Sequence, residues 1–157
     1  IPTGNTIAAA PGRRASSELK MHLCVYRNRP DVSGVAHAHP PFATAFAVAG
    51  KPIESVGYPE MRILYDRIPV CRYGRPSTED VNFDIPEVLK THDAFLLENH
   101  GLVAVAGSAI EAAYKLEGVE SIAKVLTLSK LHGGEKPLPD GELEATHDIY
   151  LHRRGIL

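Results

Sequence analysis

Between Gly34 and Pro41 the chain has few shapes open to it. Val35-Ala36-His37-Ala38-His39 alternates as a strand does, and Pro40-Pro41 then opens a helix, where a proline in the first turn costs no hydrogen bond. Alternate side chains of a strand share a face, so His37 and His39 project together with Cα atoms roughly 6–7 Å apart. Two imidazoles at that spacing can converge on one metal ion. Glu98-Asn99-His100-Gly101, lying between the apolar runs 94–97 and 102–106, supplies a third imidazole beside a glycine that permits tight backbone geometry. Three histidines with a fourth position left open are the pattern of a catalytic zinc site rather than a structural one. A His-x-His pair alone is more often hydrogen-bonded or half-exposed; the addition of His100 favours ligands. His22, His92, His132, His147 and His152 fall in helical or tail contexts and read as surface or capping residues.

Ser16-Ser17-Glu18 lies at the start of a helix expected over 15–29, with Leu19, Leu23 and Tyr26 on one face and Pro30 as its stop. Two hydroxyls and free N–H groups at a helix N-terminus make an anion site. Simple capping is the plainer reading of that tripeptide, and the helix dipole by itself favours an acidic residue in the first turn. Thr3-Gly4 is a small polar turn able to add a hydroxyl and an amide to the same anion, while Arg13 and Arg14 read as solvated loop charges.

Residues 1–14 read as loop. The helix opened by Pro40-Pro41 is rich in Ala, Phe and Val, hence buried on most sides, and Gly50 stops it. Short strands are expected over 53–56 and 68–71, with a short helix or loop over 59–65. Pro76-Ser77-Thr78-Glu79-Asp80 and, more strongly, Asp84-Ile85-Pro86-Glu87 carry helix-start signals. Ser108-Ala109-Ile110-Glu111 is a capping box for the longest helix, over 109–132, closed by Gly133-Gly134. That helix shows no clean apolar stripe and is expected to pack on more than one neighbour. A further short helix is expected over 142–151. Strands alternating with helices make the chain α/β, a layered α/β/α domain. The connection at Gly101 is too short for a crossover helix, so the sheet should be mainly antiparallel.

The 157 residues suffice for a single domain, 1–157, with a sizeable core. A formal net charge of −2 without a basic block makes nucleic acid and acidic membrane surfaces poor partners. Cys24 and Cys71 form no CxxC pair and read as buried small apolar residues in a reducing compartment. The apolar runs 42–50 and 102–107 are too short to span a bilayer. Ile1-Pro2-Thr3-Gly4 lacks the features of a signal peptide and an initiator Met, so the chain reads as trimmed.

Thr3-Gly4, Ser16-Ser17-Glu18, Val35-Ala36-His37-Ala38-His39-Pro40, the helix over 42–50, Glu98-Asn99-His100-Gly101-Leu102 and the helix over 108–132 together resemble the class II aldolase/adducin family. The likeness extends to about Gly134 and is closer to the bacterial and archaeal sugar-phosphate aldolases than to the cytoskeletal adducins. It implies roles residue by residue. His37, His39 and His100 match zinc ligands, another divalent metal being an alternative. Glu18 matches the general acid/base, and Thr3, Gly4, Ser16 and Ser17 match parts of a phosphate pocket. Tyr58, nineteen positions after His39, matches a tyrosine that in one branch of the family reaches a neighbouring subunit's site; a packing role for it is equally open. The family's phosphate-loop residues before Ile1 and between Gly4 and Asn5 have no counterpart, so missing residues are expected at both places. The implied activity is cleavage of a ketose 1-phosphate to dihydroxyacetone phosphate and a small aldehyde, by a cytoplasmic homotetramer. A 4-epimerase, a dehydratase, a decarboxylase and a non-catalytic adducin-like interaction module are the alternatives. The Thr-His-Ala-Asp stretch of the epimerases has no counterpart here.

Overall fold

The computed structural model describes residues 11–12 and 15–156; Thr3, Gly4, Arg13 and Arg14 lie outside them. Among the described residues four strands form one sheet: β1 (Gly34–Ala38), β2 (Val70–Cys71), β3 (Ala94–Leu97) and β4 (Gly101–Ala106), in the order β1-β4-β3-β2. The β1–β4 and β3–β4 pairings are antiparallel and β2–β3 is parallel, so the sheet is mixed and mainly antiparallel. Leu97 pairs with Gly101, leaving Glu98, Asn99 and His100 as the hairpin loop. Asn99 takes the left-handed backbone (φ 56°) that a three-residue hairpin needs.

Every side chain of β3 and β4 is buried, which requires cover on both faces. Ala94, Leu96, Leu102 and Ala104 pack with α2 (Pro41–Val48), α3 (Pro59–Tyr65) and α5 (Ala109–Ser129). Phe95, Leu97, Val103 and Val105 face α1 (Leu19–Asn28), a 3-10 turn over 79–82 and α4 (Ile85–Val88). The expected α/β/α layering follows from this alternation. The last helix, α6 (Glu142–Arg153), packs on α3. Cys24 and Cys71 are buried and unpaired. Among the described residues no helix is long and apolar enough to cross a membrane.

Several local expectations are corrected. α1 begins at Leu19 rather than Ala15, and no side chain caps it. It buries Met21, Cys24 and Val25, which join Phe95 and Val103 in one apolar cluster, not the Leu19/Leu23/Tyr26 row. The strands expected over 53–56 and 68–71 shrink to an Ile53–Ile68 bridge and the two residues of β2. At the 3-10 turn the cap is Thr78, accepting from the Asp80 N–H, rather than Ser77. Asp84 sits at the N-cap of α4, but its carboxylate accepts instead from the Arg72 main chain and guanidinium. Ser108 does cap α5, accepting from the Glu111 N–H. α5 also has a buried stripe after all, at Ala112, Val119, Ile122, Ala123 and Leu126.

Candidate metal centre

The two histidine-bearing segments meet because β1 and β4 are hydrogen-bonded neighbours. His37 pairs with Val103 and therefore points to the α1 face, and His39 follows at the end of the same row. His100 stands on the β3–β4 loop at the same end of the sheet. The three rings gather with centroids 4.8–4.9 Å apart. One nitrogen from each lies within 4.8 Å of the others, and His39 is exposed to solvent. Gly101 makes room for this: a Cβ there would stand 2.6 Å from His39 Cδ2 and 2.7 Å from the Ala38 carbonyl oxygen. The glycine is needed for space beside the imidazoles, while Asn99 takes the unusual backbone angle.

The rings carry free nitrogen atoms. The His37 Nδ1 atom lies 3.0 Å from the Leu102 carbonyl, which can only accept, so Nδ1 carries the hydrogen and Nε2 keeps its lone pair. His37 Nε2 and His100 Nδ1 are buried without a hydrogen-bond partner. Burial pushes His37 down to about 4, against the Leu102 carbonyl and with help from the neighbouring His100 and His39. Burial likewise lowers His100, opposed by Glu18. Neutral imidazoles with unpartnered nitrogens are the donor set that a divalent ion requires.

Glu18 arrives from the other side, at the N-cap of α1. Its Oε2 lies 4.0 Å from His100 Nε2 and is buried without a hydrogen-bond partner. Ser17 Oγ donates to Glu18 Oε1 at 3.2 Å, and the Glu18 N–H donates to Ser16 Oγ at 3.2 Å. The Ser17 hydroxyl is thus beside the carboxylate and the Ser16 hydroxyl beside the Glu18 main chain. Tyr58 stands apart from this group, at the N-cap of α3 and packed against the α2/α3/α5 core, with its hydroxyl bonded to Glu60.

Two supports escaped the sequence reading. Glu120 of α5 accepts from the Phe42 and Ala43 N–H groups at 3.0 and 2.8 Å, capping the helix that leaves His39-Pro40. The Asn99 N–H donates to the Ala47 carbonyl at 3.0 Å and ties the His100 loop to that same helix. The available signal was a carboxylate beside Val119 and among the core positions of α5, where a charge needs a partner.

The family model described as the class II aldolase and adducin N-terminal domain matches residues 1–127. A 5-deoxy-D-ribulose 1-phosphate aldolase of Bacillus thuringiensis serovar kurstaki is 34% identical over 138 residues, 84% of this chain and 62% of that protein. A 3-oxo-tetronate 4-phosphate decarboxylase of Escherichia coli is 32% identical over 131 residues, 81% of this chain and 60% of that one. Among solved structures, an L-fuculose 1-phosphate aldolase superposes with a TM-score of 0.76 at 31% identity, covering 87% of this chain and 64% of the other. The chain thus spans about three fifths of the length of the relatives it matches.

Proposed function

Since the chain belongs to the class II aldolase and adducin family, we propose that it reversibly cleaves a ketose 1-phosphate to dihydroxyacetone phosphate and a small aldehyde. His37, His39 and His100 hold the divalent ion, zinc in the first instance. The observation that carries this reading is one juxtaposition: three imidazoles converge beside a buried carboxylate oxygen that has no partner. When bound, the ion would supply Lewis acidity toward the substrate's carbonyl oxygen, onto which the negative charge of the neighbouring carbon is delocalised. The chain's own residues do the rest. Glu18 Oε2 takes the proton from the carbon next to the carbonyl in the condensation direction, and Ser17 steadies its other oxygen. Ser16 and Ser17, with Thr3 and Gly4, bind the phosphate and fix the reacting end. Tyr58, at the N-cap of α3, is assigned to a neighbouring subunit's site. A cytoplasmic homotetramer belongs to the same reading.

The decarboxylase relative gives a second reading specific support. Loss of carbon dioxide from a 3-oxo acid phosphate needs the same stabilised carbanion without an aldehyde product. The test is a panel of ketose 1-phosphates and 3-oxo acid phosphates, followed by dihydroxyacetone phosphate and carbon dioxide release. Chelator-sensitive release of dihydroxyacetone phosphate is expected. Glu18→Gln should retain the metal while losing about 10²–10⁴ in turnover, the range for a positioned acid/base group. Undiminished cleavage by Glu18→Gln removes Glu18 from its role, and carbon dioxide alone replaces the aldolase reading with the decarboxylase.

A further inference from the structure

At the end of the sheet opposite the histidines, a cavity of about 180 Å³ opens between α3, the start of β3, α5 and α6. Its lining concentrates positive charge: Arg67, Lys115, Arg153 and Arg154 stand around a single carboxylate, Asp93, with His92 beside it. The chain as a whole is slightly acidic, so this gathering runs against its net charge of −2. Asp93 is already engaged, by Lys115 Nζ at 2.9 Å and Arg154 at 2.8 Å from within the cavity wall and by Arg29 at 2.9 Å from outside it. One carboxylate therefore serves three cations. Arg153 has no ion-pair partner among the described residues, and Arg67 has only a half-exposed contact to Glu54 at 3.4 Å. Arg154 Nε is buried with no hydrogen-bond acceptor. A concave wall focuses such a field. His92 registers it: burial first, then Arg67 and Arg154, lowers its affinity for a proton, with Asp66 opposing.

We propose that this cavity is an anion site that takes a tetrahedral phosphate group, either free phosphate or the phosphate end of a small phosphomonoester. Guanidinium forks match phosphate oxygens, and the volume admits the group with a short carbon chain. The site is separate from the metal centre. Lys115 donates to the Val105 carbonyl, and Val105 lies four residue steps along β4, about 14 Å of strand, from Gly101 beside the histidines.

The experiment follows the His92 ring protons by NMR while inorganic phosphate is added at constant ionic strength, with glycerol 3-phosphate as a parallel arm. A saturable shift of His92 is expected, together with a rise in its titration midpoint, because a bound anion favours the imidazolium form. The tighter of the two ligands identifies the occupant as free ion or ester. Arg153→Gln and Arg67→Gln, which leave the three cations on Asp93 in place, should each weaken the dissociation constant about tenfold. Phosphate held at the metal centre would leave His92 unmoved. A linear drift without saturation, or saturation unchanged in both variants, overturns the proposal.

Discussion

His37 shows how a single residue can serve both packing and chemistry. Its Nδ1–H is spent on the Leu102 carbonyl, which fixes the ring, and its Nε2 is left bare in a buried place. Burial therefore favours the neutral ring, and the sign of the consequence is fixed. The unfolded chain binds a proton at the ordinary imidazole value of 6.5, the folded chain only at about 4, so the unfolded state holds more protons between those values. In the metal-free protein, stability should fall as pH is lowered through that window and level off below it. His37→Gln, which can keep a donor toward Leu102, should flatten the slope in urea titrations at successive pH values; an unchanged slope would show that another group carries it. At this scale the sharing of a face by His37 and His39 was readable from strand alternation, whereas a role for Glu18 came only from the family resemblance, because its place at the helix start is by itself explained by the helix dipole. Gly101 was readable as necessary but for a different reason, since whether a Cβ fits depends on His39 and Ala38, which the pairing of β1 with β4 brings alongside.

Among the elements, α2 depends most on a partner far away in the chain. It starts at Pro41 directly after the histidine strand, has no acidic residue in its first turn, and gains no side-chain cap from its own N-cap, Pro40. Glu120 supplies the missing acceptor for two N–H groups and brings a favourable negative charge to the positive end of the helix. Glu120→Ala should cost about 1.5–3 kcal/mol, the value of a hydrogen bond to a charged group, read by denaturant unfolding. It should also weaken metal affinity, since His39 lies one residue before that helix's cap. Glu120→Gln, which keeps an acceptor oxygen, should recover part of both losses. Equal stability and equal affinity in Glu120→Ala would remove Glu120 from the support of the site. Capping within a few residues is visible in a sequence, as Ser108 with Glu111 shows. A cap delivered by another helix is not, because the donor and acceptor are brought together only by the packing of α2 on α5. The face of α1 escaped for a similar reason: two overlapping rows were available, and contact with the sheet chose the one through Cys24.

Across the whole molecule, Asp93 ties the layers together at the end of the sheet away from the metal centre. Arg29 follows α1, Lys115 belongs to α5, and Arg154 caps α6; all three meet the one carboxylate just before β3. Burial opposes charging Asp93, but its bonds to Arg154, Lys115 and Arg29 outweigh it and hold the carboxyl well below the usual range. Its stabilising contribution is thus present above the unfolded value of 3.8 and is lost only in strong acid, in a window below that of His37. Asp93→Asn should destabilise the fold by about 2–3 kcal/mol, somewhat less than breaking a fully buried pair, as measured by thermal or urea unfolding. A loss within experimental scatter would show that the three cations are accommodated by solvent. Arg29 and Asp93 are 64 positions apart and Lys115 a further 22, so no local pattern announces this hub. The layered architecture, by contrast, was legible, because alternation in β1 and unbroken burial in β3 and β4 each require their own kind of cover. The same long-range closure brings β1 against β4 and assembles three histidines into one centre. Cobalt(II) titration of the wild type and of His39→Ala, followed by visible absorption, tests that assembly most directly. One ion per chain with the intense bands of a low-coordinate site, lost in His39→Ala, is the predicted result; no uptake by the wild type, or the same spectrum and affinity without His39, would contradict it.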